Sequence, residues 1–459
     1  MLTYDLKKAP GVPLYESLYR CIRADILSGA LRPGEKLPSK RALADHLEIS
    51  KITVETAYAQ LLSEGYLRSR EKSGYYVEQV VSRPAEVPEL SPAPKEPEKH
   101  WAVDLTSTGS GGLFPFSVWM RLQREVMLDC GGALLSSQPS TGHAGLRQAI
   151  ADYLAAFRGM RVNPDLILIG AGTDFLCNLI PQLLGRDKTY AVEEPGYNKI
   201  RRIYAAAGVS CVGVPMDARG VLPQSLQDAG VLHISPSHHF PTGVVTPASR
   251  RQELLDWVSA GSDRWIVEDD YDSEFRFDCH PVPTLWSMDP GGKVIYMNTF
   301  SRSLAPSIRI SYMVLPRILM TRFRERLGFY SCTVPSFEQY TLERFLHRGY
   351  FEKHINRMRK FYKNRRNRVI SLLEQCDFAS RLTILEQDAG LHFLLRIQTG
   401  LPDETLLSML EARGIRARSL ASYYHGSAPP DAAHTLVVSY SDLREDALET
   451  ALESLGKLP

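Results

Sequence analysis

The sequence predicts a multidomain chain: a small helix-turn-helix unit with a β-hairpin, then a mostly parallel α/β domain that ends in a smaller α+β subdomain. Three observations carry that expectation. The 459 residues are too many for one ordinary domain. Residues 79–100 break the composition, with five prolines among mixed charges and little to bury, as in an extended linker. Beyond the break, short apolar runs alternate with helical stretches, the pattern of a parallel sheet covered by helices. The expected boundaries are 1–78 for the first unit, 79–101 for the linker, 102–335 for the α/β domain and 336–459 for the subdomain.

In the first unit, "PLYESLYRCIRADILSG" repeats Leu14, Leu18, Ile22 and Ile26 at helical spacing. Gly29 and "LRPGEKL" end that helix and turn the chain. "PSKRALADHL" predicts a second helix with Ser39 as its N-cap. After the turn "EIS", Ser50 caps a third, "KITVETAYAQLLSEG". Two short helices joined this tightly describe a helix-turn-helix. "YLRSREKSGYYV" alternates about a turn centred on Lys72–Gly74, which predicts a two-stranded wing.

In the second unit, buried strands are predicted at "LILIGAG" (166–172), "TYAVEEPGY" (189–197), "VLHISP" (231–236), "RWIVEDDY" (264–271) and "VIYMNTFS" (294–301). The portion from about residue 335 opens with a long basic helix, "RGYFEKHINRMRKFYKNRRNRVISLLEQC", and continues as the α+β subdomain.

Composition narrows the function classes. A formal net charge of +2 excludes a uniformly basic nucleic-acid coat, so any DNA contact must come from a local patch. The seven cysteines are odd in number and scattered, with no CxxC pair, so neither a disulfide frame nor a metal site is expected, as in a reducing cytosol. The opening residues lack the apolar core of a signal peptide, and no run of about 18 apolar residues predicts a membrane span.

"LPSKRALADHLEISKITVETAYAQLLSEGYL" resembles nearly the whole pattern of the GntR-type winged helix. That resemblance implies operator DNA as a partner. Lys51, Thr53 and Thr56 lie at the start and on one face of the third helix, the part that enters a major groove. Arg41 and Lys72 are placed to reach phosphate, and Ser39 and Gly74 complete the DNA-facing set. Val54, Ala57 and Leu61 are expected to face the core, while Tyr58 either touches phosphate or packs.

The remainder resembles fold-type I aminotransferases, and the combination resembles the MocR class of regulators. Six segments carry this in order: "TGHAGLRQAIADYLAAFRGM", "GAGTDFL", "EEPGY", "SPSHHFPTGVV", "VEDDYDSEFRF" and "FSRSLAPSIRISYMVLP". The resemblance implies a fold-type I fold and a pyridoxal phosphate site. Amides of Ala171, Gly172 and Thr173 at a strand-to-helix turn would hold the phosphate, with Ser301 and Arg309 completing the cradle. Asp269, or Asp270 in its place, would keep the pyridine nitrogen protonated. Tyr271 would meet the 3-oxygen and Tyr197 would stack on the ring. His238 and His239 read as pocket lining, with no carboxylate spaced to partner them.

Two residues depart from that family's pattern. Arg302 stands where the cofactor-binding lysine is expected. A guanidinium stays protonated and is a poor nucleophile, so it replaces that lysine neither as nucleophile nor as proton shuttle. No catalytic residue is therefore assigned, and Arg302 is counted with the cofactor-binding set as an extra clamp for phosphate or carboxylate. Val437 stands where the family places the arginine for a substrate carboxylate. An amino acid ligand is then held differently, or the ligand is not an amino acid.

The expected function is a bacterial, cytoplasmic transcription regulator, nucleoid-associated when on DNA, that senses a small-molecule effector. The cofactor would be bound without a covalent link or as an adduct with an amino acid, and the family implies a homodimer with swapped winged helices. An active aminotransferase carrying a DNA-binding domain is the alternative, which Arg302 disfavours. A DNA-binding protein with a decayed pocket is the third reading.

Overall fold

The computed structural model describes residues 2–6, 12–80, 100–107, 109, 112–277, 282–387 and 390–456. Most of the expected linker, residues 81–99, lies outside them, as does Cys279. The chain divides into two compact units, Met1–Glu98 and Lys99–Pro459.

The N-terminal unit consists of α1 (Leu14–Ser28), α2 (Lys40–Leu47), α3 (Lys51–Ser63), β1 (Leu67–Arg70) and β2 (Gly74–Val77). Both predicted caps form: the Ser39 hydroxyl accepts the Ala42 N–H at 3.2 Å and the Ser50 hydroxyl accepts that of Thr53 at 3.1 Å. The strands pair antiparallel from Leu67↔Val77 to Arg70↔Gly74, and Lys72 turns the wing at φ 57°. Leu18, Ile22, Leu43, Val54, Ala57 and Leu61 are completely buried in one apolar cluster. Shortening a buried leucine such as Leu61 to alanine costs about 2–5 kcal/mol. Leu14, whose spacing assigns it to the same face, is instead exposed in the first turn of α1. Tyr58 packs: it is buried and its hydroxyl donates to the Pro38 carbonyl at 3.0 Å.

The larger unit begins with β3 (Val103–Asp104), α4 (Phe116–Cys130) and α5 (Ala144–Arg158). The α/β succession follows as β4 (Ile167–Gly170), α6 (Thr173–Leu184), β5 (Thr189–Glu194), α7 (Asn198–Ala206), β6 (Ser210–Asp217), β7 (Gly220–Val221) and β8 (Val231–Ile234). It continues with α8 (Ala248–Ser259), β9 (Trp265–Asp269), α9 (Leu285–Met288), β10 (Val294–Thr299), α10 (Phe300–Ser303), β11 (Ser311–Val314) and α11 (Arg317–Leu327). The chain ends through α12 (Ser336–His347), α13 (Tyr350–Gln375), β12 (Leu382–Leu385), β13 (His392–Ile397), α14 (Asp403–Glu411), β14 (Ile415–Arg416), β15 (Thr435–Ser439) and α15 (Glu445–Gly456).

The main sheet has eight strands in the order β4-β11-β10-β9-β8-β5-β6-β7. From β10 to β6 every pairing is parallel, whereas β11 and β7 run antiparallel to their neighbours. Side chains alternate between two buried faces, as the pleat requires. Leu168, Ile295, Met297 and Met313 pack with α6 and α11 on one face. Ile167, Ile169, Tyr296, Tyr312 and Val314 pack with α5, α12 and α13 on the other. That second cluster continues into Phe393, Leu395 and Val438 of the antiparallel sheet β12-β13-β15. Among the described residues, no helix is long and apolar enough to cross a membrane.

Among the main-sheet strands that escape the sequence pattern, two do so for a physical reason. β6 is half exposed and carries Gly213 and Pro215, so it presents no apolar run. β11 is four residues long, too short to show a period, although all four are buried.

Candidate functional site

On the N-terminal unit, the exposed N-terminal turn of α3 presents Lys51, and Arg41 is exposed on α2. Lys72 is exposed on the wing beside the half-buried Gly74. No carboxylate pairs with these three cations among the described residues, whereas the nearby Lys40 is held by Glu55 at 2.6 Å. The hydroxyls of Thr53 and Thr56 bond locally, to Ser50 Oγ at 2.8 Å and the Ile52 carbonyl at 2.9 Å. Ser39 is committed to its cap. Within the predicted DNA-facing set, the charge on offer to an external anion is therefore that of Arg41, Lys51 and Lys72.

The larger unit holds a cavity of about 630 Å³ at the C-terminal ends of its parallel strands, where open α/β sheets place their ligands. Each strand end contributes side chains: Val192 and Glu193 from β5, His233 and Ser235 from β8, Asp269 and Tyr271 from β9, Thr299 and Ser301 from β10. Gly172, Thr173, Tyr197, Arg302 and Arg309 also line it. Of the nine residues first assigned to the cofactor, only Ala171 is not part of the wall.

At one end, α6 opens onto the cavity, and the N-terminal amides of a helix attract anions. Two of the three amides expected there are engaged elsewhere. Ala171 N–H donates to Thr333 Oγ1 at 2.9 Å and Gly172 N–H to the Gly170 carbonyl at 2.9 Å. The amides that remain begin at Thr173. Gly172 sits at φ 88°, and a Cβ there would lie 2.7 Å from Arg309 Nη2, so only glycine lets the guanidinium approach this closely. Arg309 itself contacts the Ala171 carbonyl at 3.3 Å and Asp174 Oδ2 at 3.3 Å. Lys199 reaches the same Asp174 oxygen at 2.7 Å. Burial would raise the Asp174 carboxyl, but Lys199 and Arg309 together bring it below its usual range. A built-in carboxylate thus bridges two cations of the cradle.

Asp269 and Asp270 are neighbours with opposite surroundings. Asp269 lines the cavity, its Oδ1 is buried without a hydrogen-bond partner, and its Oδ2 is 3.7 Å from His233 Nε2. His233 is fixed by the Tyr204 hydroxyl at 2.7 Å to its Nδ1. Asp270 is sealed away from the cavity, 3.0 Å from Arg158 and accepting from the Tyr296 hydroxyl at 2.7 Å. Asp269 therefore faces the cavity, and Asp270 does not. Burial pushes the Tyr271 hydroxyl well above its usual range, with the charge of Asp272 adding to the effect.

The two histidines need correction. Neither His238 nor His239 lines the cavity, and both have carboxylate neighbours that sequence spacing did not reveal. His238 Nδ1 is 2.7 Å from Asp272 Oδ2, and His239 Nε2 is 3.5 Å from Glu193 Oε2. Burial lowers His239 to about 3, so it is neutral. Burial also raises Glu193 to about 8, against the Ser235 N–H bond that favours its charge.

Arg302, on α10, stands with its guanidinium carbon 5.9 Å from the centre of the Tyr271 ring. It borders the main cavity and a smaller one of about 40 Å³, which Phe240, His392, Tyr423 and Val437 also line. Among the described residues, the only lysine in the main cavity wall is Lys199, bound to Asp174. Sequence reasoning assigned no role to Glu193 and Phe240, although both lie in quoted motifs, and missed His233, Arg416, Arg418 and Tyr423, which come from strand ends and loops without a local motif.

Comparison with known proteins bears on both units. Residues 14–77 match the family described as bacterial regulatory proteins, gntR family, and residues 105–455 match aminotransferase class I and II. An uncharacterized HTH-type transcriptional regulator of Bacillus subtilis, YdeL, is 36% identical, with 97% of each chain covered. The probable rhizopine catabolism regulatory protein MocR of Rhizobium meliloti is 33% identical, over 99% of this chain and 97% of its own. The pyridoxine biosynthesis transcriptional regulator PdxR of Corynebacterium glutamicum is 30% identical, over 95% and 93%. Among solved structures, kynurenine aminotransferase of Pyrococcus horikoshii matches with a TM-score of 0.67 at 24% identity, covering 77% of this chain and 91% of that one. LysN of Thermus thermophilus, an α-aminoadipate aminotransferase complexed with N-(5'-phosphopyridoxyl)-L-leucine, gives 0.66 at 22%, with 77% and 91% covered. At these identities the two structures establish the fold.

Proposed function

This chain belongs to the MocR class of GntR-family HTH-type transcriptional regulators, with a fold-type I aminotransferase-like domain, and from that premise we propose that the cavity senses pyridoxal phosphate, alone or joined to an amino acid, without carrying it on a lysine. The observation that supports this most directly is Arg302 in the cavity wall, with Lys199, the one lysine there, bound to a carboxylate. Turnover of amino acids needs an amine that both attacks and shuttles a proton, and neither residue supplies it.

The residues suit the group. Asp269 has a buried oxygen without a partner, apt for holding the proton of a pyridine nitrogen. The close approach of Arg309 at Gly172, with Ser301 and the α6 amides from Thr173 onward, suits a phosphate. Tyr271 would meet the 3-oxygen, Tyr197 would cover the ring face, and Arg302 would add charge near a carboxylate. Pyridoxal phosphate supplies an electron sink when bound; in this reading the chain uses it as a signal.

The winged helix would read operator DNA, with Lys51 at the major groove and Arg41 and Lys72 on phosphates. The protein would work in the cytoplasm, as a homodimer on two half-sites. A test is titration of the purified chain with pyridoxal phosphate, followed by absorbance and thermal shift, then borohydride reduction and mass spectrometry. The expected result is saturable binding with no added mass. A cofactor mass fixed on a lysine peptide would overturn the reading.

A further inference from the structure

The cation missing at Val437 has a substitute one backbone hydrogen bond away. Val437 lies on β15, is buried, and lines the smaller cavity. An isolated antiparallel bridge, Ser419↔Leu436, brings the segment after β14 alongside β15. This sets Arg418 opposite Val437, whose N–H donates to the Arg418 carbonyl at 3.0 Å. Residues directly opposite in an antiparallel pair project to the same face, with Cβ atoms about 5 Å apart. Arg418 accordingly lines the main cavity while Val437 lines the adjoining one, and Tyr423 borders both. Burial raises the Tyr423 hydroxyl above its usual range, and the charge of Arg418 opposes that rise.

Carboxylates already hold three cations of the cavity wall. Arg416, two residues earlier, contacts Asp104 at 3.3 Å, and Lys199 and Arg309 share Asp174. No carboxylate pairs with Arg418 among the described residues. A cavity-lining guanidinium without an acid partner, beside a tyrosine hydroxyl and an apolar wall, suits a ligand carboxylate.

We infer that Arg418 is the residue that receives the carboxylate of an amino-acid-type effector, taking over the task of the arginine that Val437 replaces. The inference rests on the reading of the cavity as a phosphopyridoxyl site. It gives that site a specificity: an amine carrying a carboxylate is favoured over the same amine without one.

The probes are phosphopyridoxyl adducts of glycine, β-alanine and 4-aminobutyrate, with the propylamine adduct as the carboxylate-free control. Binding to the full chain is measured by calorimetry. At least one carboxylate adduct should bind the wild type about 10- to 100-fold more tightly than the control, the range of a charged hydrogen bond. In Arg418→Gln that preference should vanish, while affinity for the control stays within about twofold. Arg418→Lys should restore part of it. A preference that survives in Arg418→Gln, or a wild type that binds all four adducts equally, would overturn the inference and leave the cavity reading intact. Failure of the wild type to bind any phosphopyridoxyl compound would overturn both.

Discussion

The two units both offer cations to an anion, and they do so in opposite ways. In the N-terminal unit the cations come from a short stretch and are exposed, and none is in a salt bridge among the described residues: Arg41, Lys51 and Lys72. In the larger unit they line a concavity and come from distant segments, and three are already held, Lys199 and Arg309 by Asp174 and Arg416 by Asp104. The first arrangement suits a polymer with charge along its whole length, and salt should weaken it strongly. The second suits a small ligand selected by shape, with its charges partly compensated before the ligand arrives.

The largest effect is expected where charge is buried deepest. Asp270→Asn removes one partner of the sealed pair with Arg158, and denaturant unfolding should report a loss of about 3–5 kcal/mol. Asp269→Asn, one residue away but facing the cavity, should change stability far less and instead abolish pyridoxal phosphate binding. Equal effects on stability would erase the distinction drawn between the two carboxylates.

Lys51→Ala should weaken duplex binding about tenfold and reduce the log–log salt slope by about 1. Pyridoxal phosphate titration of the same variant should be unchanged. A variant that bound DNA normally would return Lys51 to the solvated surface.

Glu193 gives the cavity wall a pH dependence. Its folded-state value of about 8 lies above the ordinary carboxylate value of 4.5. Below about pH 4.5 it is protonated in both states; as pH rises to about 8 only the unfolded chain gives up the proton, so stability falls. Glu193→Gln should remove that fall, gaining more than about 1 kcal/mol on wild type between pH 5 and 8. Parallel stability curves for the two proteins would place Glu193 among ordinary carboxylates. The smallest effect is expected for Asp174→Asn, which frees Arg309 and Lys199 from a competing carboxylate. It should raise pyridoxal phosphate affinity about two- to fivefold at low salt, and lowered affinity would make Asp174 part of the cradle.

The same contrast explains what the sequence made legible. The helix-turn-helix could be read because its caps, apolar spacing and exposed cations all lie within one local pattern, down to Ser39, Ser50 and Leu61. The parallel strands were legible as buried apolar runs, whereas β6, with its glycine and proline, was not. At the cavity, "EDDY" supplies two adjacent carboxylates, but Arg158, which holds one of them away from the wall, lies more than a hundred residues away on α5. For the same reason His238 and His239 read as lacking acids, since Asp272 and Glu193 reach them from other strand ends. The amide of Ala171 was assigned to a phosphate because its engagement by Thr333 leaves no local mark. Arg418 was invisible until pairing with β15 set it opposite Val437.

The central claim is that a ligand in the cavity sets the DNA affinity of this regulator. It is tested most directly by fluorescence anisotropy of the full chain on the duplex upstream of its own gene, at fixed salt, with and without saturating pyridoxal phosphate. A midpoint shift of more than about threefold is expected in the wild type and none in Asp269→Asn. Identical midpoints in the wild type, with cofactor binding verified by absorbance in the same sample, would contradict it.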